Sequence, residues 1–214
     1  MPHVDFSLYL ISDRQRVPAG RTLLSQIEAA LAGGVKAVQL REKDLSAAQL
    51  YPLALELRAL TRRYSAKLLI NDRIDLALAV TADGVHLGGH SLPVSTVRAL
   101  LGPQRLIGVS THAVAEAEQA FADGADFVTF GPIYPTPSKL PLGDPVGIEP
   151  LAQLCQKKYG PVFALGGVTT ERLDELIPCG VDGIALIAAM IACGDPKKAA
   201  HALLERLPPV DRPE

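Results

Sequence analysis

Short apolar runs alternate with amphipathic stretches along the whole chain, and this alternation limits the fold more than any other feature. The apolar runs have the length of strands, and the stretches between them carry the apolar spacing of helices. Eight strands are predicted, at residues 8–11, 37–40, 67–70, 84–87, 106–109, 127–130, 162–165 and 183–187. Eight helices are predicted, at residues 23–32, 46–63, 74–80, 93–101, 113–123, 149–158, 170–177 and 196–207.

Strict alternation of strand and helix indicates parallel strands that are joined by helical crossovers. Eight such repeats in 214 residues fit one compact (β/α)₈ TIM barrel, a single domain over residues 1–214. An open doubly wound sheet is the rival architecture, and no Gly-x-Gly-x-x-Gly motif follows the first strand to favour it. A glycine turn recurs before strands 2, 4, 6 and 8, where it ends the preceding helix.

The overall composition excludes several classes of partner. The formal net charge is -2 and 21% of the residues are charged, which argues against a general nucleic-acid or membrane-surface binder. The chain opens without a signal-peptide pattern and has no apolar run of membrane-span length, so a cytoplasmic location is expected. The three cysteines, Cys155, Cys179 and Cys193, lack metal-ligand spacing and are expected to be reduced packing residues. A homo-oligomer is compatible with these features.

The run after strand 2 contains two cations and an amide on one face. Side chains alternate along a strand, so Gln39, Arg41 and Lys43 point the same way. If that face is the barrel interior, these polar groups belong at the open, C-terminal mouth. Two cations at a concave mouth favour an anion, and phosphate suits both a guanidinium fork and an ammonium. The alternative is a solvated turn whose charges compensate one another.

Other strand ends carry further candidates. Asp72, after Asn71, is either a metal or substrate ligand or the cap of the next helix. His86 and His90 are four residues apart, but no Cys or carboxylate joins them at zinc-ligand spacing. After strand 5, Ser110 is followed by His112, which either moves protons near neutral pH or only begins a helix.

The segment after strand 6, at about 131–147, is longer than most connections in compact domains and is expected to be a mobile binding loop or lid. It offers two hydroxyls and a cation to a phosphate, from Thr136, Ser138 and Lys139. The pair Gly166-Gly167 follows strand 7 and residues 187–189 follow strand 8, where many barrels of this kind bind phosphate. A simple tight turn is the alternative for the glycine pair.

Taken together, these motifs resemble the thiamine phosphate synthase family. The resemblance runs in order over nearly the whole chain. It is carried by Gln-Leu-Arg-Glu-Lys at 39–43, Asn-Asp-Arg at 71–73, Ala-Asp-Gly-Val-His-Leu-Gly at 82–88, Gly-Val-Ser-Thr-His at 108–112, Gly-Pro-Ile-Tyr-Pro-Thr-Pro-Ser-Lys at 131–139 and Gly-Gly at 166–167. The family's members are (β/α)₈ barrels that join a pyrimidine diphosphate to a thiazole phosphate and release pyrophosphate with the help of Mg²⁺.

The resemblance implies a role for each matched residue. The implied pyrimidine diphosphate contacts are Gln39, Arg41, Lys43, Asn71, Ser110 and Lys139. The implied thiazole phosphate contacts are Thr136, Ser138, Gly167, Ile187 and Ala188. Asp72 is the implied Mg²⁺ ligand, with Ser91 at the position of the family's second one. The resemblance also implies five catalytic residues, which are Arg41, Lys43, Ser110, Lys139 and His112.

The chain departs from the family pattern at two of these positions. Ser91 stands where synthases usually have an aspartate, and Ala188 stands where they usually have a serine. Mg²⁺ often needs only one or two carboxylates beside substrate oxygens and waters, so Asp72 alone is compatible with an ion. Two alternatives stay open: a thiazole tautomerase of the same pathway that uses His112, and a non-catalytic barrel that binds thiamine precursors.

Overall fold

The computed structural model describes residues 2–136 and 144–210. Eight parallel strands form a closed barrel in which each strand pairs with its sequence neighbours and β8 pairs with β1. The strands are β1 Leu8–Ile11, β2 Ala37–Leu40, β3 Lys67–Asn71, β4 Gly84–Leu87, β5 Leu106–Thr111, β6 Phe127–Phe130, β7 Val162–Leu165 and β8 Gly183–Leu186. The predicted single-domain (β/α)₈ barrel is therefore confirmed.

Helices surround the barrel. They are α1 Leu23–Ala32, α2 Ala47–Arg63, α3 Ile74–Ala79, α4 Val94–Leu101, α5 Val114–Ala122, α6 Ile148–Lys157, α7 Leu173–Leu176, α8 Ala188–Ile191 and α9 Pro196–Leu204. Short 3₁₀ helices follow β1 at Arg14–Arg16 and α7 at Ile177–Cys179. No helix within 2–136 and 144–210 is both long and apolar enough to cross a membrane.

One helical prediction was wrong in detail, and one short helix was missed. The helix predicted at 170–177 is a four-residue α-helix followed by a 3₁₀ turn, because Pro178 has no N–H to continue the α-helical hydrogen bonds. The short helix α8, directly after β8, was not predicted. It contributes buried Met190 and Ile191 to the shell between the barrel and the outer helices.

The barrel interior is packed with aromatic rings below the mouth. Phe6 closes the bottom against Phe127 and Phe163, and Tyr9 lies above them. Gly108 faces inward beside these rings, and a Cβ at this position would collide with the Phe127 ring and the His86 imidazole. The missing side chain therefore makes the space into which two larger ones fit.

Three aspartates fix the starts of β3, β5 and β7 at the opposite end of the barrel. Asp126 Oδ2 accepts the Ile107 N–H at 2.7 Å and also pairs with Arg98. Asp83 and Asp182 each accept a strand-start N–H in the same way. The recurring turn predicted as a helix stop therefore also sets strand register.

Candidate active site

A cavity of about 360 Å³ opens at the C-terminal mouth of the barrel. Strand ends and following loops from β1, β2, β5, β6, β7 and β8 form its wall. Its polar and charged lining residues are Asp13, Arg16, Arg41, Ser110, Thr111, His112, Thr129, Thr136 and Thr169. Chemistry in such barrels occurs at this end, so the cavity is the candidate active site.

The three residues predicted to converge after β2 take three different positions. Arg41 lines the cavity. Gln39 is only 1% exposed, and it lies inside the barrel at the level of Ile11 and Leu69 rather than at the open mouth. Lys43 is exposed to solvent and does not line the cavity. Residues on the same face of the strand therefore lie at different depths along the barrel axis. The prediction that placed the Gln39 amide at the open mouth was wrong.

A buried carboxylate anchors the backbone around Arg41. Glu42 is 5% exposed and accepts the Ser12 hydroxyl at 2.6 Å and the Arg14 N–H at 3.1 and 3.2 Å. The Ser12 oxygen in turn accepts the Arg41 N–H at 2.8 Å. These bonds fasten the loop after β1 to the loop after β2, so the guanidinium projects from a fixed backbone.

The ends of β3 and β4 lie beside this cavity wall rather than in it. Asn71 ends β3 and pairs with His86 of β4. Asp72 follows in the left-handed region, with φ 63°, and its N–H donates to the His86 carbonyl at 2.9 Å. Its side chain makes no hydrogen bond or ion pair within the described ranges, and α3 begins without a side-chain cap. The helix-cap alternative for Asp72 was therefore wrong.

Ser91 forms hydrogen bonds within its own turn. Its hydroxyl accepts the Gly88 N–H at 2.8 Å, and its N–H donates to the Gly88 carbonyl at 3.0 Å. His90, in the same loop, is exposed, whereas His86 is buried, so the two histidines do not share a site. In the described part of the chain, no three His, Cys, Asp or Glu side chains cluster as metal ligands.

His112 lines the cavity next to a carboxylate. The backbone N–H of His112 donates to Glu116 Oε2 at 2.8 Å, and the ring Nδ1 lies 3.5 Å from the same oxygen. The side chain of His112 is 47% exposed. The imidazole therefore has both a neighbouring base and access to the cavity, which an acid or base needs.

The loops after β6 and β7 are fastened together. The Ile133 N–H donates to the Leu165 carbonyl at 2.9 Å, and the Tyr134 N–H donates to the Gly166 carbonyl at 3.1 Å. The guanidinium of Arg172 lies 4.0 Å from the centre of the Tyr134 ring and donates to the Gly167 carbonyl. This places Gly167 on the cavity wall.

The remaining predicted contacts divide into two groups. Thr136, Gly167, Ile187 and Ala188 line the cavity, as do the predicted Ser110 and His112. Ser138 and Lys139 fall in 137–143, outside the described residues, as does the middle of the predicted mobile loop.

The cavity also contains residues that the sequence reasoning missed. Asp13 and Arg16 reach it from the turn after β1, where Asp13 Oδ2 accepts Arg16 Nε–H at 2.7 Å. Thr129 reaches it from β6. The polar pair Ser12-Asp13 directly after strand 1 was the sequence signal for Asp13.

The fold and the cavity define a (β/α)₈-barrel protein with a pocket for a small molecule at the strand ends, lined by both polar and apolar residues. Arg41 gives the wall positive charge, Arg16 is paired there with Asp13, and hydroxyls from β5 and β6 line the same cavity. This set of donors suits an anionic ligand such as a phosphate ester.

The chain belongs to the thiamine monophosphate synthase family, whose profile matches residues 8–190. A protein of Geobacter sulfurreducens is 56% identical over 214 residues, and the match covers 100% of this chain and 100% of that protein. The thiamine-phosphate synthase of Alkaliphilus oremlandii is 40% identical over 200 residues, with 94% of this chain and 95% of that protein covered. The solved thiamine phosphate pyrophosphorylase of Pyrococcus furiosus has a TM-score of 0.84 and 35% identity, and the match covers 94% of this chain and 95% of that one.

Proposed function

We propose that this protein is a transferase that forms thiamine phosphate. It takes the pyrimidine-methyl group from 4-amino-5-hydroxymethyl-2-methylpyrimidine diphosphate. The C–O bond to the diphosphate breaks, its electron pair leaves with pyrophosphate, and the lone pair of the thiazole nitrogen forms the new C–N bond. The observation that carries the proposal is the mouth cavity, in which Arg41, Ser110 and Thr136 meet in a member of this family.

Leaving-group charge grows as the C–O bond breaks, so groups placed beforehand around the diphosphate act most strongly in the transition state. Arg41 is assigned to that charge because its backbone is fixed through Ser12 and Glu42. Ser110 is assigned to the same substrate. The proposal also keeps the predicted contacts Lys43, Asn71 and Lys139.

The thiazole phosphate is assigned to the other side of the cavity. Thr136, Gly167, Ile187 and Ala188 line that side, and Ser138 is kept as a predicted contact. Arg16 supplies a further cation on the cavity wall. The pocket can hold a phosphate there without the serine that Ala188 replaces, because the backbone N–H groups remain.

The donor set fits one Mg²⁺ ion. The Asp72 carboxylate is exposed at the strand ends and unpaired within residues 2–136 and 144–210. Mg²⁺ commonly binds one or two carboxylates together with substrate phosphate oxygens and waters. When bound, the ion would neutralise charge on the diphosphate. Ser91 contributes no carboxylate, so substrate oxygens are needed to complete the ligand set.

The deciding experiment supplies the purified protein with both precursors, with and without Mg²⁺, and measures pyrophosphate and thiamine phosphate. Both products should appear in equal amounts and only when both substrates are present. An absence of product with Mg²⁺ present would refute the proposal and favour the non-catalytic barrel. Arg41→Ala should lower kcat/KM by about 100-fold or more, on the scale of a lost preorganised charge contact. Arg62→Ala, which removes an exposed guanidinium bonded to Thr81, is the matched control.

A thiazole tautomerase is the second candidate, because His112 lies in the cavity beside Glu116. That activity would isomerise the thiazole carboxylate phosphate without metal and would be lost in His112→Gln. Incubation of the protein with that substrate alone separates the two functions. Isomerisation that is faster than thiamine phosphate formation would replace the first candidate with the second.

A further inference from the structure

A buried row of polar side chains runs through the barrel interior and ends at the cavity. Gln39 Nε2–H donates to the Tyr9 hydroxyl oxygen at 2.9 Å. The Tyr9 oxygen lies 3.4 Å from His86 Nδ1, and His86 Nε2 lies 3.0 Å from Ser110 Oγ. Tyr9, Gln39 and His86 are at most 2% exposed, while Ser110 lines the cavity. The row therefore connects the packed interior to a residue that faces substrate.

One direction of these bonds gives every donor of the row an acceptor, because in the reverse direction the buried Tyr9 hydroxyl proton has none within the row. The Tyr9 oxygen accepts the Gln39 proton, so its own hydroxyl proton is available to His86 Nδ1. A neutral imidazole has one donor and one acceptor nitrogen, so acceptance at Nδ1 makes Nε2–H the donor. His86 Nε2–H then donates to Ser110 Oγ. The Thr129 hydroxyl also lies 3.5 Å from Ser110 Oγ and donates to it.

Packing fixes the position of the His86 imidazole. His86 is 2% exposed. The absent Cβ of Gly108 leaves room for the ring on one side. Phe127 packs on another side, with ring centroids 5.8 Å apart. Both ring nitrogens are therefore held within reach of their partners, Tyr9 and Ser110.

We propose that Tyr9 and His86 are positioning residues that turn Ser110 into a hydroxyl donor toward the substrate. Ser110 Oγ accepts from inside the barrel, so its proton points into the cavity, where an acceptor atom of the pyrimidine diphosphate would receive it. The identity of that acceptor rests on the proposed function, whereas the direction of the row does not. The reverse polarity, with His86 Nδ1–H donating to Tyr9, would make Ser110 donate to His86 and leave only lone pairs for substrate.

The direction can be read by NMR on the full chain labelled with ¹⁵N-histidine near pH 7. The His86 ring should show a protonated Nε2 and an unprotonated Nδ1, and the signal is assigned by its loss in His86→Gln. Tyr9→Phe removes the proton that is donated to Nδ1, so this variant should shift the tautomer balance. A wild-type His86 that carries its proton on Nδ1 would overturn the proposal. This measurement needs no substrate, so it stands even if the proposed function fails.

A double-mutant cycle tests the consequence for turnover. Tyr9→Phe should lower kcat about tenfold, on the scale of one neutral hydrogen bond, with little change in KM for the thiazole phosphate. Ser110→Ala should lower kcat at least as much, and the double variant should lose nothing further, because both changes remove the same donor. Losses that multiply, or a Tyr9→Phe enzyme with wild-type kcat, would show that Tyr9 only fills the core.

Discussion

Replacement of His86 should make the fold less sensitive to acid. The imidazole is 2% exposed, and its nearest partners are the neutral hydroxyls of Tyr9, Ser110 and Thr129. Burial, together with the positive charge of Arg41, lowers its pKa to about 3, whereas the pKa of a histidine in the unfolded chain is about 6.5. Between these two pH values the unfolded chain binds a proton that the folded chain does not.

The direction and size of the effect follow from this difference. Because the unfolded state binds more protons, the free energy of unfolding rises with pH through this window and falls as the pH drops below about 6.5. From pH 7 to pH 5 the loss due to His86 alone is about 2 kcal/mol. The folded ring stays unprotonated at pH 5, so this figure depends mainly on the pKa of histidine in the unfolded chain.

Urea unfolding at pH 7 and pH 5, in metal-free buffer, measures the effect. His86→Gln should be less stable at pH 7, yet its change between the two pH values should be about 2 kcal/mol smaller than that of the wild type. His201→Gln, on the exposed face of α9, controls for the loss of an imidazole elsewhere. If His86→Gln and the wild type lose the same free energy between pH 7 and pH 5, the buried neutral imidazole is refuted.

Three further predictions concern packing and the cavity wall. Asp126→Ala should lower the free energy of unfolding by about 2 kcal/mol, because it removes the ion pair with Arg98 and leaves the Ile107 N–H without its acceptor. Asp182→Ala removes only the acceptor of the Val162 N–H and should cost about 1 kcal/mol; urea unfolding would contradict this if the two losses were equal. Gly108→Ala should cost about 1–3 kcal/mol through overpacking, and Gly194→Ala, whose Cβ would meet open space, should be close to neutral in the same assay. Arg172→Gln should raise KM for the thiazole phosphate about tenfold by releasing the wall at residues 134 and 167, with pyrimidine diphosphate KM little changed; equal effects on both KM values would argue against the assignment of that side of the cavity.

The strands could be predicted to within one or two residues because each is a short apolar run that follows a helix stop. Lengths differed only at the mouth. There β3 extends to Asn71 and β5 extends to Thr111 through polar residues that no hydropathy pattern marks, and β8 ends at Leu186, one residue before its predicted end. The glycine turn before these strands was visible as a repeat, but the role of the neighbouring aspartates and the strand N–H groups that they bind were not. A carboxylate that bonds a backbone N–H about twenty residues away leaves no local signal.

Site residues could be predicted where a position at a strand end was enough, as for Arg41, Ser110 and His112. The prediction failed where the depth of a residue along the barrel axis mattered. Gln39 shares a face with Arg41, yet strand pairing places it opposite Ile11 and Leu69, one layer below the mouth. Stagger between strands is set by closure of the whole barrel, so one strand's sequence does not contain it.

The gap left by the absent side chain at position 108 has a consequence for how such sequences can change over time. The imidazole of His86, on the neighbouring strand, occupies space that a Cβ at position 108 would need. A methyl group at 108 would therefore require smaller side chains at both 86 and 127, because its Cβ would collide with both rings. Across descendants of this chain the three positions should vary together, although they lie on three different strands.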